Sequence, residues 1–396
     1  MLNVLQSQEF MRDPASVLGS MREQGALVKS RIPIIGKVWF TTTHAAAVQV
    51  LKNDQNFTVR KHNGSVVGLS WWMPDTIRRM TSNMLAQDNP EHARLRGIVE
   101  QAFQRREIIS MEQDIGEVAH GFANALFDGE GQGDLVSGFA RPLPLAVISE
   151  LLGLPEKDRE GFMKWADSLT NVTGMLTFLR MIFKLRPMSR YIEQQISIAR
   201  TGNYPGLIGE LVGEHDEQLS DDEFVSMVFL LLFAGHETTT HLISGSVLAL
   251  MQHREQLEEL KADWSLLDLA VEECLRFVCP VQTTKPRFVQ RDCEIDGVQL
   301  QAGEIVMPLL VAANMDPALH DMPERFDITR KPNRHTSFGS GIHFCLGHQL
   351  ARLELRIALR TLFTAYPDLD LVDETKLVWR ERLGIRALKR LPLTRR

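Results

Sequence analysis

The chain has 396 residues, 44% of them apolar and 24% charged, with a formal net charge of −6. Those values describe a globular protein long enough to bury a sizeable core. They give no support for nucleic acid as a partner, because no basic block or aromatic-interleaved basic stripe stands against the mild acidic excess.

Met1–Gln24 mixes charges and a proline into its apolar residues and reads as neither a secretory signal nor a stable membrane anchor. The longest apolar run, Phe224–Ala234, is too short to span a bilayer, so a cytoplasmic chain is expected. The four cysteines, Cys274, Cys279, Cys293 and Cys345, show no CxxC or zinc-like spacing, and in that compartment they stay reduced. The first three read as buried, apolar-type residues. Helical periodicity dominates, and neither repeat nor linker divides the chain. The expected architecture is therefore a single domain over residues 1–396, mainly α with a small β portion, built round a long central helix.

In chain order, Lys29–Thr42 is the first extended stretch. Within Asp88–Arg96, a helix would put His92 and Arg96 four apart on one face. The best-defined helix opens at Ser220, which forms a capping-box signature with Glu223, while Asp221, Asp222 and Glu223 suit the positive helix start. Its pattern continues to about Gln252, a length of about 50 Å. The first half is apolar almost all round, so it is expected to run through the core. Midway stands Ala234-Gly235-His236-Glu237-Thr238-Thr239. Glycine there costs about 1 kcal/mol relative to alanine, and a mid-helix threonine bonds back to the carbonyl four residues earlier, so a local kink is expected. Glu237 inside so apolar a helix needs water or a partner. Further on, Glu273 and Arg276 lie three apart on a helix that stops at Pro280, a spacing worth about 0.2–0.5 kcal/mol on an exposed surface. The region Thr283–Val311 then reads as a minor sheet with a hairpin turn at Asp296-Gly297.

The sharpest signal is Phe338-Gly339-Ser340-Gly341-Ile342-His343-Phe344-Cys345-Leu346-Gly347. The glycines allow tight turns that bring backbone N–H groups near the sulfur. The helix that follows carries Leu346, Leu350, Leu353 and Ile357 on one face, and its N-terminal dipole favours thiolate over thiol. Phe338 and Phe344 are expected to shield the sulfur.

This segment, with Leu350-Ala351-Arg352-Leu353-Glu354 after it, resembles the haem-binding loop of the cytochromes P450, and the resemblance covers essentially the whole chain in four motifs in family order. It implies haem b as cofactor, with Cys345 as the axial thiolate on the iron. It implies that Glu237 is the acid and Thr238 the alcohol of a proton-delivery pair, and that His92, Arg96, Arg287 and His343 meet the haem propionates. Glu273 and Arg276 would form a buried structural triad with Arg330. Met315 stands where many relatives carry arginine, which puts a local surface contact in doubt.

By the same resemblance the enzyme is a monooxygenase that hydroxylates or epoxidises a hydrophobic or amphipathic small molecule with dioxygen. Its electrons are expected from a separate ferredoxin and ferredoxin reductase. Arg352, Arg356 and Arg360 either contribute to ferredoxin docking or form a solvated helix face. The segments that face substrate in the family hold Val66, Val67, Leu69, Trp71, Trp72, Met73 and Met80, and the stretch Met175–Lys184. These residues favour an adaptable apolar pocket, and the apolar-basic stretch near Phe183 is expected as its mobile lid, with contact to a membrane surface as the weaker alternative. Two other readings stay open: the same fold performing coupling, dehydration or isomerisation, and a haem-binding sensor that never turns over. The acid–alcohol pair argues against the sensor.

Overall fold

The computed structural model describes residues 2–33, 35–61, 79, 82–105, 108–127, 131–159, 161–162, 165 and 175–395, with backbone alone at 2, 104–105, 109 and 175–184. The apolar loop residues Val66 to Met73 and Met80 lie outside them, as do the side chains of Met175–Lys184. Helices dominate, as expected. The chain divides into two compact units, the first comprising Met1–Gly68, Asp114–Ala140 and Thr238–Arg396, the second Leu69–Gln113 and Arg141–Glu237.

The first unit holds all the strands found among the described residues: β1 (Leu27–Ile32), β2 (Gly36–Thr41), β3 (Phe57–Thr58), β4 (Gln132–Asp134), β5 (Arg287–Val289), β6 (Cys293–Ile295), β7 (Val298–Leu300), β8 (Ile305–Met307), β9 (Leu369–Leu371) and β10 (Pro392–Arg395). They form a five-stranded sheet in the order β1-β2-β8-β5-β3, a three-stranded sheet β4-β10-β9 and the hairpin β6-β7. The turn of that hairpin is Asp296-Gly297, both with positive φ (45° and 78°), the two-residue geometry that matches strand twist. One face of the large sheet buries Val28, Ile32, Val38, Phe40, Phe288 and Met307 in a shared core with the N-terminal helices. Its parallel pairing is β2 with β8, which needs the long crossover that separates them.

The secondary-structure elements among the described residues of the second unit are all helices. The helix Pro142–Leu152 starts with proline at its first position, where the missing N–H costs nothing, and ends at Gly153 in the left-handed region. A Cβ at Gly153 would lie 1.9 Å from the Pro205 carbonyl oxygen, so only glycine fits the approach of the next segment.

The long helix spans Asp221–Gln252. Its capping box is formed: the Ser220 N–H donates to Glu223 Oε2 (2.9 Å) and the Glu223 N–H to Ser220 Oγ (3.3 Å). Phe224 to Val228 are buried, as a core-traversing helix requires. Helical assignment runs unbroken through Ala234–Thr239. Gly235 has a packing reason of its own: a Cβ there would press on Ile148 at 3.0 Å. No described helix is long and apolar enough to cross a membrane.

Candidate active site

The cysteine loop lies in the first unit. Gly339 and Gly341 both adopt φ +72°, and the loop closes through hydrogen bonds from the Cys345 N–H to the Phe338 carbonyl (2.9 Å) and from the Phe344 N–H to the Gly341 carbonyl (3.0 Å). A Cβ on Gly341 would sit 2.1 Å from the Leu51 carbonyl oxygen, so the loop is docked directly on the helix His44–Lys52. The next helix, His348–Ala365, begins three residues after Cys345 and buries Leu350, Leu353 and Ile357 as the periodicity predicts. Ile342, His343, Cys345 and Leu346 all retain accessible surface. Phe344 is 36% exposed, less of a shield than expected.

Three networks set this loop in place. Glu273 and Arg276 are fully buried, with Arg276 Nε and Nη2 donating to the two Glu273 oxygens at 2.8 and 2.7 Å. Arg330 completes the expected triad at 3.4 Å. Arg276 also donates to the carbonyls of Asn314, Pro323 and Arg325, so the pair organises the chain leading to the loop. Asn314 carries the constraint onward: it donates to Ser337 Oγ (2.8 Å) and accepts from the Thr336 N–H (2.7 Å). The third network joins Arg352, Glu272 and His335. Burial would raise the Glu272 carboxyl, but hydrogen bonds from Arg352 and His335 outweigh it and hold it at about 2. Arg352 is thus engaged with its own chain. Arg356 reaches Asp268 at 3.4 Å, and Arg360 lies exposed over Trp264.

Met315 is 4% exposed and packs in the core, in keeping with the doubt about a surface contact there, and its carbonyl is held by Arg22 at 2.8 Å. One expectation needs correction. Cys293, on the hairpin strand β6, is half-buried rather than buried. Cys274 and Cys279 are buried, and burial pushes both thiols up to about 12, which leaves them inert.

Arg287 stands on β5, 4% exposed. Lys285, two residues earlier, is a further, half-buried cation, pushed down to about 8 by burial and by the neighbouring charges of Arg287 and Arg60. Neither Lys285 nor Arg60 drew notice from sequence, although the two-residue spacing of Lys285 and Arg287 is that of one strand face. On the long helix, His236 and Glu237 are each 4% exposed, and burial, aided by Arg141, pushes His236 down to about 4. Leu230, Ala234 and Thr238, at four-residue spacing, keep accessible surface, as do Phe229, Phe233 and Gly235 on the same helix. In the second unit, His92 is 2% exposed with Nδ1 at 2.8 Å from the Met84 carbonyl. Arg96 follows one turn later and reaches Glu100 at 3.5 Å.

This donor set fits haem. The iron asks one axial ligand of the protein, and a loop cysteine held by left-handed glycines can supply it. The two propionates ask for cations, and buried Arg287 with half-buried Lys285 nearby are such groups. Glu354, on the helix after the loop, is fully buried, and burial raises its carboxyl well above the usual carboxylate range.

A cytochrome P450 family model matches residues 206–376. The chain is 37% identical to the cytochrome P450 monooxygenase PikC of Streptomyces venezuelae, over 98% of this chain and 92% of that one. It is also 37% identical to a vitamin D(3) 25-hydroxylase of Pseudonocardia autotrophica, over 98% and 95%. Among solved structures, P450BioI in complex with hexadec-9Z-enoic acid-ligated acyl carrier protein superposes with a TM-score of 0.90 at 36% identity, covering 98% of this chain and 100% of that one. Near-complete coverage at that identity, on the same fold, settles the relationship: the chain belongs to the cytochrome P450 family and is a haem b-dependent monooxygenase of the bacterial type, acting on small organic substrates.

Proposed function

We propose that Cys345 is the axial thiolate, that Glu237 and Thr238 deliver protons, and that the enzyme hydroxylates or epoxidises a hydrophobic or amphipathic molecule. The observation that carries this reading is the cysteine loop, turned through two left-handed glycines and closed by the Cys345 N–H on the Phe338 carbonyl. Bound haem supplies reductive activation of dioxygen and transfer of one oxygen atom to the substrate, with two electrons and two protons consumed and one water released.

The chain's residues supply the rest. His92, Arg96, Arg287 and His343 are the donors we assign to the propionates. The Phe338 carbonyl engages the Cys345 N–H and so fixes the ligand backbone. Glu237, buried in an apolar helix, is the proton carrier, and the hydroxyl of Thr238, which keeps accessible surface, holds a water or donates a hydrogen bond. Electrons come from a separate ferredoxin and its reductase in the cytoplasm.

The test is turnover. A panel of hydrophobic molecules is first screened for substrate-induced spin-state shifts. The best binder is then incubated with ferredoxin, reductase and ¹⁸O-labelled dioxygen. One labelled oxygen in the product supports monooxygenation, and a coupled, dehydrated or isomerised product without label refutes it.

A further inference from the structure

One charge cluster beside the cysteine loop takes no part in oxygen chemistry. Arg352 donates from Nε to Glu272 Oε1 (2.5 Å) and from Nη2 to Glu272 Oε2 (2.9 Å). Its Nη1 reaches His348 Nδ1 at 3.0 Å and the His348 carbonyl at 3.3 Å. His335 Nε2 meets Glu272 Oε2 at 3.1 Å from the other side. All three guanidinium nitrogens are engaged, so the side chain is locked, and it lies 4.5 Å from the centre of the Phe338 ring. Phe338 is bound in turn to the ligand residue, because its carbonyl accepts the Cys345 N–H. A compensated pair of full charges is therefore clamped one aromatic ring away from the cysteine loop. Glu272, held at about 2 by these bonds against the opposing effect of burial, keeps its charge at any working pH.

We infer that Arg352, clamped by Glu272, is a positioning residue that holds this neutralised pair against Phe338 and thereby sets the ferric–ferrous balance of the bound haem. The inference rests on the assignment of Cys345 as axial ligand. Ferric iron carries one more positive charge than ferrous, so an uncompensated carboxylate nearby favours ferric and an uncompensated guanidinium favours ferrous. In a medium of effective dielectric about 20, and partly screened, a unit charge acting over a distance on the order of 10 Å would shift such an equilibrium by about threefold to tenfold. Tenfold corresponds to about 59 mV for one electron.

The experiment is a mediated redox titration of substrate-free holoenzyme, after the ferrous carbon monoxide spectrum has verified thiolate ligation in the wild type. Absence of that signature refutes the ligand assignment itself and is thus distinct from failure of this inference. Arg352→Gln leaves Glu272 uncompensated and lowers the midpoint potential. Glu272→Gln leaves Arg352 uncompensated and raises it. The double variant returns to near the wild-type value. A merely structural role predicts something else: shifts of one sign, or haem loss in both singles, with the double variant worst. Either of those, or unchanged potentials, overturns the inference. Should Arg352→Gln not retain haem, Arg352→Lys carries the test. It keeps the charge without the fork, so a potential near wild type supports the inference, and a shift as large as that of Glu272→Gln overturns it.

Discussion

Three glycines in the cysteine loop face different constraints, and alanine substitution at each reads out a different part of the geometry. At Gly347 the backbone is ordinary (φ −85°) and a Cβ meets nothing within 4 Å. Gly347→Ala then costs at most about 1 kcal/mol, from a poorer helix N-cap. At Gly339, φ is +72° but the nearest atom to a new Cβ is 3.9 Å away, so the cost is conformational strain alone, about 1–2 kcal/mol. At Gly341 the same φ is joined by a 2.1 Å approach to the Leu51 carbonyl oxygen and 3.3 Å to Lys52 Cα, both backbone-anchored. Relieving that clash requires loop and helix to separate by roughly 1 Å, which adds about 1–3 kcal/mol of overpacking to the strain. Gly341→Ala therefore loses about 2–5 kcal/mol and, because the moving loop carries Cys345, also loses haem. Urea unfolding of each holoenzyme, with haem content measured by the pyridine haemochrome, gives the series. The predicted order of damage is Gly347, Gly339, Gly341. A Gly341→Ala protein as stable and haem-replete as Gly347→Ala would show that the loop is not seated on the helix His44–Lys52.

Other consequences follow from the buried charges. Arg276→Met strands the fully buried Glu273 carboxylate and is expected to cost about 3–5 kcal/mol, measured by chemical denaturation. Glu354, raised by burial, holds its proton in the folded state through a range where the unfolded chain has released it. Stability therefore falls as pH rises above about 4.5, by up to about 1.4 kcal/mol per unit until the folded carboxyl ionises. Glu354→Gln removes that slope: the variant matches wild type near pH 4 and exceeds it at neutral pH, as thermal unfolding across pH will show. Thr238→Val removes the side-chain hydroxyl. It is expected to divert reducing equivalents from product to hydrogen peroxide about tenfold or more, with substrate affinity little changed. Unaltered coupling between electron consumption and product formation contradicts its role.

Much of this was legible because the deciding forces are local. The Ser220–Glu223 box marks the start of the long helix within a residue, and Asp296-Gly297 marks the hairpin, since capping and turn chemistry act over two to four positions. The glycines around Cys345 likewise point to a tight loop. What the sequence concealed depends on partners far along the chain. Arg352 reads as a helix-face charge until Glu272, 80 residues away, meets it. The spacing of Glu273 and Arg276 alone suggests a weak surface pair, whereas the family resemblance already implies the buried triad with Arg330 that the structure shows. Strands β3, β4 and β9, two or three residues long, carry too little periodicity to be read in advance.

The bond between the Cys345 sulfur and haem iron is the claim on which the mechanism stands. The most direct measurement is the ferrous carbon monoxide spectrum of wild type beside Cys345→Ala, with circular dichroism to verify that the variant is folded. The account predicts the strongly red-shifted Soret band of a thiolate ligand in the wild type and its complete loss in the variant, together with loss of turnover. A folded Cys345→Ala protein with unchanged haem content, spectrum and activity would contradict it.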